Sequence, residues 1–474
     1  MPDRTLSVVV LAAGEGTRMK SRSLPKVLHG FAGRTLLGHV LAACAPLDAA
    51  ETLVVVGHRR EQVIEQLPAG VTPVVQAEQR GTGHAVRLAM TEASGAGTVL
   101  VVPGDAPLLT AETLAVLVGE QRASGASAVL LSSVVADPSG YGRVVRAADG
   151  TVERVVEHRD ATAAELAITE VATSVYAFDA AQLREAVAAL PTANAQGEEY
   201  LPDVVAVLGK AGQRVLAQAA PADETAGVND RVQLATAHRT YNRRLLERHM
   251  REGVTIVDPS STWVDADVVL EPDVTLWPNV DLHGATSVAE GASIGPDVTL
   301  AGTSVGARTR ISRAVAVDAR IGAGVTVGPF AYLRPGTVLA DGVHVGTSVE
   351  IKNSEIGTGS KVPHLSYVGD ATIGAHSNIG AASVFLNYDG VEKHRSTVGD
   401  HVKVGGDTML VAPVHVGDGA YTAAGAVITQ DVPAGALARS TGRQENVAGW
   451  VLRKRAGSAA AEAAERAGDD EKGE

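Results

Sequence analysis

The run "VDADVVLEPDVTLWPNVDLHGATSVAEGASIGPDVTL", Val264 to Leu300, repeats without a break: Val264, Leu270, Leu276, Leu282, Val288, Ile294 and Leu300 stand six residues apart. The same period returns at Ile321, Val327, Leu333, Leu339, Val345 and Ile351, at Ile356, Val362 and Val368, and at Val398, Val404, Leu410 and Val416. Helices repeat about every 3.6 residues and strands every 2, so neither yields this pattern. A solenoid does, because each short rung turns a corner, points one aliphatic residue inward and leans on the next rung. Glycine directly after the aliphatic residue, as in Ile294-Gly295 and Val327-Gly328, suits a corner with unusual backbone dihedrals. Chance richness in Val and Gly does not hold its register over so many repeats.

Upstream the pattern is different. Up to about residue 228, short β-branched runs ("LSVVVLAAG", "ETLVVVGH", "GTVLVVPGD", "ASAVLLSSVV") alternate with helical intervals such as Thr35 to Ala45 and Thr110 to Ala123. This predicts an α/β domain of Rossmann-like, mainly parallel sheet. Asn229 to Glu252 is charged, lacks proline and stops at Gly253, which predicts a connecting helix. The expected division is therefore 1–228, a linker helix 229–252, a solenoid 253–453, and a low-complexity tail 454–474 expected to be disordered.

Composition agrees with two domains. A chain of 474 residues exceeds one ordinary core, and 45% hydrophobic residues suffice to fill two. Aromatics are only 3% against 51 glycines, so aliphatic packing and tight turns dominate. A net charge of -13 excludes a general nucleic-acid binder but leaves anionic small molecules open through local Arg and Lys. The single cysteine, Cys44, allows no internal disulfide and points to a reducing compartment. No apolar run approaches a membrane span, so the expectation is a cytoplasmic protein without a membrane partner.

The chemistry of the first domain turns on "LAAGEGTRM", Leu11 to Met19, which follows Val8-Val9-Val10. A dinucleotide fingerprint needs a third glycine where Met19 stands, and a P-loop needs Gly-Lys-Ser/Thr; both are absent. What remains is a strand, a Gly-x-Gly turn whose amides can wrap an anion, and two cations, Arg18 and Lys26. Alone, such a turn is often only a turn, and Asp105 in "PGDAPLL" alone reads as a helix cap.

Together, "LAAGEGTRMKSRSLPKVLH", "QAEQRGTGHAV", "PGDAPLL" and "AGVNDR" resemble the sugar-nucleotide pyrophosphorylase family, in family order. The resemblance implies that Leu11, Ala12, Ala13, Gly14, Arg18 and Lys26 hold a nucleoside triphosphate, UTP. It further implies that Gln76, Gln79, Gly81 and Thr82 read the base, and that Asp105 and Asn229 bind Mg²⁺, a hard cation suited to oxygen ligands. Gly142 in "SGYGRV" and Glu157 in "VVEHRDA", with Ala172, match positions that hold the N-acetylated sugar.

The repeat half carries "RPGT" (Arg334), "VEIKNS" (Glu350, Lys352), "PHLSYVGD" (His364, Tyr367), "NIGAASVFLNYDGVEKHRS" (Asn378, Asn387, Tyr388, Lys393) and "AYTAAGAVI" (Ala424). With the first half, these resemble the bifunctional N-acetylglucosamine-1-phosphate uridyltransferase/glucosamine-1-phosphate acetyltransferase family over residues 6 to 453. The resemblance implies a left-handed parallel β-helix that forms a homotrimer with sites between subunits, and a two-step synthesis of UDP-N-acetylglucosamine. His364 would be the base that frees the acceptor amine, a role suited to an imidazole. Arg334, Lys352, Tyr367, Asn378, Asn387, Tyr388 and Lys393 would bind the acceptor sugar-1-phosphate, and Asn387 would orient the histidine or the amine. Ala381, Gly406 and Ala424 would line the acetyl-CoA site. Taken singly, the histidine reads as a surface residue and each lysine as a solvated charge. Zinc on His364, His376, His394, His401 and His415 is a competing use of the solenoid histidines.

Departures from the family pattern are local. Ala172-Thr173-Ser174 stands where Asn-Thr or Asn-Ala-Gly is usual, and Tyr200-Leu201-Pro202-Asp203 where Tyr-Leu-Thr-Asp is usual, so two polar groups expected to face the sugar are missing unless Thr173 or Ser174 restores one. Gly406 replaces a serine expected at CoA, and Thr441 an arginine for which Arg443 lies close. Three rivals follow: a paralogue with altered sugar-1-phosphate specificity, a pyrophosphorylase whose β-helix is only structural, and a solenoid without catalysis. The retained His364, Lys352, Tyr388 and Lys393 weigh against the second, and Asp105 with Asn229 against the third.

Overall fold

The computed structural model describes residues 5–192, 197–440, 448–454, 456–457 and 460–461. The chain divides into two compact units, Met1–Pro335 and Gly336–Glu474.

The first unit opens with a seven-strand path in the order Val215–Ala219, Ala128–Val134, Glu170–Asp179, Thr98–Pro103, Leu6–Ala12, Glu51–Val56, Val71–Val75. Every neighbouring pair is parallel except those made by Glu170–Asp179, which runs antiparallel to both its partners. That strand, "EVATSVYAFD", escapes a reading by apolar runs because Thr173 and Ser174 interrupt it at a register shift between Ala172 and Tyr176. Leu6–Ala12 is the opposite case. Val9 faces one core and Val8 and Val10 the other, and a strand covered on both faces reads as an unbroken apolar run.

The three helices expected from sequence fall within a residue or two of expectation, because their caps are written in the sequence. Thr35 caps Leu36–Cys44 by accepting from Gly38 N at 2.9 Å, and Thr110 caps Ala111–Ser124, which ends at Gly125 in left-handed backbone. Asp230 caps the connecting helix Arg231–Arg251. Its Asn242, 4% exposed, donates to Thr262 O at 2.8 Å and accepts from Val264 N at 3.1 Å, so the helix is fastened to the first coil rung by a buried amide paired at both its nitrogen and its oxygen.

From Thr255 the chain winds as a left-handed parallel β-helix. In the first unit Leu270 pairs with Val288, Leu276 with Ile294 and Leu282 with Leu300, so three six-residue steps make one turn of three strands. Val264, Leu270, Leu276, Leu282, Val288, Ile294 and Leu300 are all buried, filling an aliphatic core. In the second unit Ile351 pairs with Val368 and Leu410 with Ile428 on the same plan. There the chain leaves the coil after Val384–Leu386 and rejoins it at Ser396–Val398.

The corner glycines follow two rules, only one of which was expected. Gly295, at φ 106, does occupy backbone that L-residues avoid. Gly380 does not; a Cβ there would stand 2.4 Å from the carbonyl carbon of Gly405 on the next rung, so close approach of rungs excludes a side chain. Meanwhile Leu365, Ala382 and Asp407 take left-handed corners without being glycine. Most of the tail 454–474 lies outside the described residues, and among those described no helix is long and apolar enough to cross a membrane.

Candidate functional site

In the first unit, four residues far apart in sequence converge on one point. The strand Leu6–Ala12 delivers the Gly turn, and Gly16 is left-handed at φ 65 with no room for a Cβ, which would stand 2.4 Å from Lys26 Cβ. The short turn Thr17–Met19 carries Arg18. Asp105 follows the strand Thr98–Pro103, and Asn229 precedes the connecting helix. Lys26 Nζ pairs with Asp105 Oδ2 and lies 3.1 Å from Asn229 Oδ1, which also accepts from Arg18 Nη2 at 2.8 Å. Asp105 is no helix cap, since Thr110 holds that position for the helix that follows.

These groups floor a cavity of about 530 Å³ whose walls include Leu11, Ala12, Ala13, Gly14, Gln76, Gln79, Gly81 and Thr82. Gln76 is 4% exposed. Its Nε2 donates to Gly81 O at 3.0 Å and meets His84 Nδ1 at 3.1 Å, which leaves Oε1 as the group it offers a ligand. Burial, then Arg87, lowers the His84 pKa, favouring the neutral ring that can accept that contact. Gln79 Nε2 donates to Ala13 O at 2.8 Å and so braces the Gly turn itself.

A second cavity, about 300 Å³, adjoins the first through Arg18, Pro103, Asp105, Ser174 and Asn229. Ala172 lines it, as does Thr173, whose hydroxyl donates to Leu131 O at 2.8 Å. Ser174, in left-handed backbone at φ 62, lines both cavities, and nothing in its sequence neighbours signals that backbone. Gly142 O accepts from Ala172 N at 2.9 Å. Glu157 lies beside Gly142 but faces a third cavity of about 620 Å³ with Tyr200 and Asp203. Burial, then Asp203 and Asp160, raises its carboxyl pKa. Pro202 is buried at the start of the helix Asp203–Lys210 and lines none of these three cavities.

The second unit presents two clusters. At one corner of successive rungs, Ala382 N donates to His364 O, Asp407 N to Ala381 O, and Gly425 N to Gly406 O. His364, Ala381, Gly406 and Ala424 therefore each precede the corner residue and stack in one column, with three small residues beneath an exposed imidazole. At the other end of the strand Tyr367–Gly369 stands Asp370. It accepts from Lys352 Nζ at 3.4 Å, from Asn353 Nδ2 at 2.6 Å and from Asn387 Nδ2. Tyr367 Oη and Asn387 Nδ2 both lie over Gly369, where a Cβ would stand 2.4 and 2.8 Å from them. Tyr388 and Lys393 face each other as a bridge across the segment outside the coil. Asn378 is on a different strand, paired with Lys361 and Lys403, and Arg334 follows Ala331–Leu333 in the first unit. Thr441 and Arg443 lie outside the described residues.

The histidines proposed for zinc are spread out. His376 and His401 stack on each other at 5.2 Å, His394 meets Asp389 at 2.7 Å and His415 meets Thr397 at 2.6 Å. Among the described residues no three His, Cys, Asp or Glu side chains form a metal-holding group.

Asp370 had no role in the sequence reading. Its signal was the rung period: it stands 18 residues after Lys352 and 17 before Asn387, one turn from each.

Residues 8–249 match the MobA-like NTP transferase domain, and residues 318–353 match the bacterial transferase hexapeptide (six repeats). Over its full length the chain is 55% identical to a Streptomyces avermitilis protein, "Bifunctional protein GlmU", covering 99% of each. The protein of that name from Thermobifida fusca is 56% identical over 98% of each chain.

The chain belongs to the GlmU family.

The two halves of the GlmU pattern are both present, a nucleotidyltransferase domain and a hexapeptide-repeat acyltransferase domain. The chain is accordingly a bifunctional enzyme of UDP-N-acetylglucosamine synthesis, with acetyltransferase and uridyltransferase activities.

Proposed function

We propose that the two activities reside in the two regions just described, with residues 1–228 carrying uridylyl transfer, 229–252 linking, and 253–453 carrying acetyl transfer. UTP lies in the cavity of about 530 Å³, its phosphates on the Gly14 turn, Arg18 and Lys26. A sugar-1-phosphate oxygen attacks the α-phosphorus, the bond to the β-phosphate oxygen breaks, and pyrophosphate leaves. No protein nucleophile is required, so positioning and charge carry the rate. The observation that carries this reading is the convergence of Arg18, Lys26, Asp105 and Asn229 beside two adjoining cavities.

Mg²⁺ suits the same point. Asp105 Oδ2 and Asn229 Oδ1 already converge on one cation, the Lys26 ammonium, and offer only hard oxygen donors. Asp105 and Asn229 would hold the ion, which when bound neutralises phosphate charge. Uridylyl transfer should vanish with chelator and return with added Mg²⁺.

In the coil, His364 accepts a proton from the ammonium of glucosamine-1-phosphate. The freed amine attacks the thioester carbonyl of acetyl-CoA, the C–S bond breaks, and the leaving thiolate takes up a proton. The column Ala381, Gly406, Ala424 supports a groove for the CoA arm leading to that imidazole. Arg334, Lys352, Tyr367, Asn378, Asn387, Tyr388 and Lys393 bind the acceptor. A homotrimer supplies the walls that one protomer lacks, and the reactions run in the cytoplasm, where UTP and acetyl-CoA are made.

Altered acceptor choice is the second reading, favoured by Ala172. It puts a methyl against the smaller cavity where the family places a polar group, and the one donor of the Thr173 hydroxyl is committed to Leu131 O. The deciding measurement is uridylyl transfer from UTP to a panel of sugar-1-phosphates. Highest kcat/KM with N-acetylglucosamine-1-phosphate supports the first reading, and a clear preference for a deoxy or epimeric acceptor supports the second.

A further inference from the structure

A carboxylate directly after a β-strand is by default a solvated corner charge. Asp370 is not. It is 7% exposed, sits in left-handed backbone at φ 49, and has both carboxylate oxygens occupied. Oδ1 accepts from Asn353, and Oδ2 accepts from both Lys352 and Asn387. Burial by itself would raise the carboxyl pKa, but the amides of Asn353 and Asn387 and the Lys352 charge outweigh it and hold the group ionised below the usual carboxylate range.

The consequence falls on Asn387. An amide carries its two donors on one side and its acceptor on the other, and the two ends are distinguished only by what they meet. With Nδ2 committed to a buried carboxylate, flipping would set two acceptor oxygens against each other, so Oδ1 is the atom Asn387 presents outward. An acceptor oxygen held in one orientation is what an attacking amine needs to align its N–H.

The far end of the same segment is tied down as well. Arg395 donates Nε to Thr372 Oγ1 at 3.0 Å, Nη1 to Asn353 O at 3.3 Å and Nη2 to Ala371 O at 3.0 Å. Asp370 thus holds the first residue of the segment, and Arg395 closes the last onto the neighbouring rungs.

We propose that Asp370 is a positioning residue for acetyl transfer: it fixes the Asn387 amide with its oxygen toward the acceptor amine and keeps the Lys352 ammonium beside it. This rests on the reading that Asn387 and Lys352 face the acceptor. Asp370 acts through them and touches neither substrate, so its loss falls on glucosamine-1-phosphate and spares acetyl-CoA.

The test uses the full chain, with each substrate of acetyl transfer varied in turn and uridylyl transfer and thermal melting followed alongside. Asp370→Asn keeps the shape but sets an amide against an amide. It should lower kcat/KM for glucosamine-1-phosphate about 10- to 100-fold, the scale of a misplaced reacting group. KM for acetyl-CoA, uridylyl transfer and melting should stay as they are. In an Asn387→Ala background most of that loss should disappear, because no amide remains to be oriented. Equal losses in both backgrounds, or a loss confined to acetyl-CoA, overturns the proposal. A damaging Asn387→Ala beside a harmless Asp370→Asn overturns the proposal alone. A harmless Asn387→Ala overturns the acceptor assignment and the proposal together. If Asp370→Asn unfolds the coil, Asn353→Ala, which removes only the bond to Oδ1, carries the same test with a smaller expected loss in the same direction.

Discussion

The sheet site and the coil site are assembled by opposite means. Arg18 and Asn229 share a hydrogen bond across 211 residues of chain, whereas Lys352 meets Asp370 across 18 and Asn387 meets Asp370 across 17. In the sheet, neighbours are set by which strand ends lie side by side, a property of topology. In the coil, neighbours are one rung apart, so counting residues predicts contact. The coil therefore reports its own geometry in one dimension, and the sheet does not.

The sharpest way to break the comparison is to ask whether the two sites are independent. His364→Ala should lower acetyl transfer by roughly 10²-fold or more, the scale of a lost general base, and leave uridylyl transfer unchanged. Asp105→Ala should do the reverse. Equal damage to both activities from either substitution would mean that the sites are not separate.

Next comes a pair of adjacent glycines that the rung geometry separates. A Cβ on Gly405 would stand 2.6 Å from Ala424 N, whereas one on Gly406 meets nothing nearer than Ala381 O at 3.4 Å. Gly405→Ala should cost the coil about 1–3 kcal/mol through overpacking, read as a lower melting temperature. Gly406→Ser should fold normally and lower KM for acetyl-CoA several-fold, as one added neutral hydrogen bond of ~1 kcal/mol would. If the two variants behave alike, neighbour spacing does not govern this column.

In the sheet half, proximity in sequence motif and proximity in space part company. Ala172 lines the smaller cavity and Pro202 lines none of the three described. Ala172→Asn alone should therefore change kcat/KM for N-acetylglucosamine-1-phosphate by about tenfold relative to deoxy or epimeric analogues, and Pro202→Thr should add little. An Ala172→Asn variant with unchanged ratios would remove that position from the pocket.

The smallest effect concerns pH. Burial lowers the His39 pKa to about 4 from the ordinary imidazole value of 6.5, with the Phe31 carbonyl contact opposing and Arg34 adding to the shift. Between those values the unfolded chain binds a proton that the folded chain refuses, so stability is full above 6.5 and drains away as pH falls toward about 4. Melting followed over that window should fall less steeply in His39→Gln than in the parent. Parallel curves would show that His39 is not the titrating group.

How much of this was legible differs by region. In the coil the six-residue period placed seven buried core residues from Val264 to Leu300, though not Val268, Val274, Val280, Ala292 and Val298, which are buried as well; counting by the rung would also have set Asp370 between Lys352 and Asn387. The corner glycines were legible as corners, but their reason was not. Gly380 is excluded from bearing a side chain by a backbone on the next rung, a contact that no local rule contains. In the sheet half, capping residues and apolar runs located two helices, the connecting helix and four strands; helices such as Thr82–Glu92 and Ala180–Ala188 were not placed, and Glu170–Asp179 was missed because its pairing, not its composition, makes it a strand.

The sequence by itself determined the α/β half, the connecting helix and the coil, because caps, buried runs and a rung period are each written into neighbouring residues. It also determined which side chains were candidates. Only the tertiary structure decided where they meet: Lys26 with Asp105 and Asn229, Ser174 between two cavities, Glu157 facing a third, and Asn387 donating to Asp370. The physical reason is range. Backbone propensities and periodicity act over a few residues, whereas the direction of a side chain and the pairing of a buried charge are set by groups that only folding brings within hydrogen-bond distance.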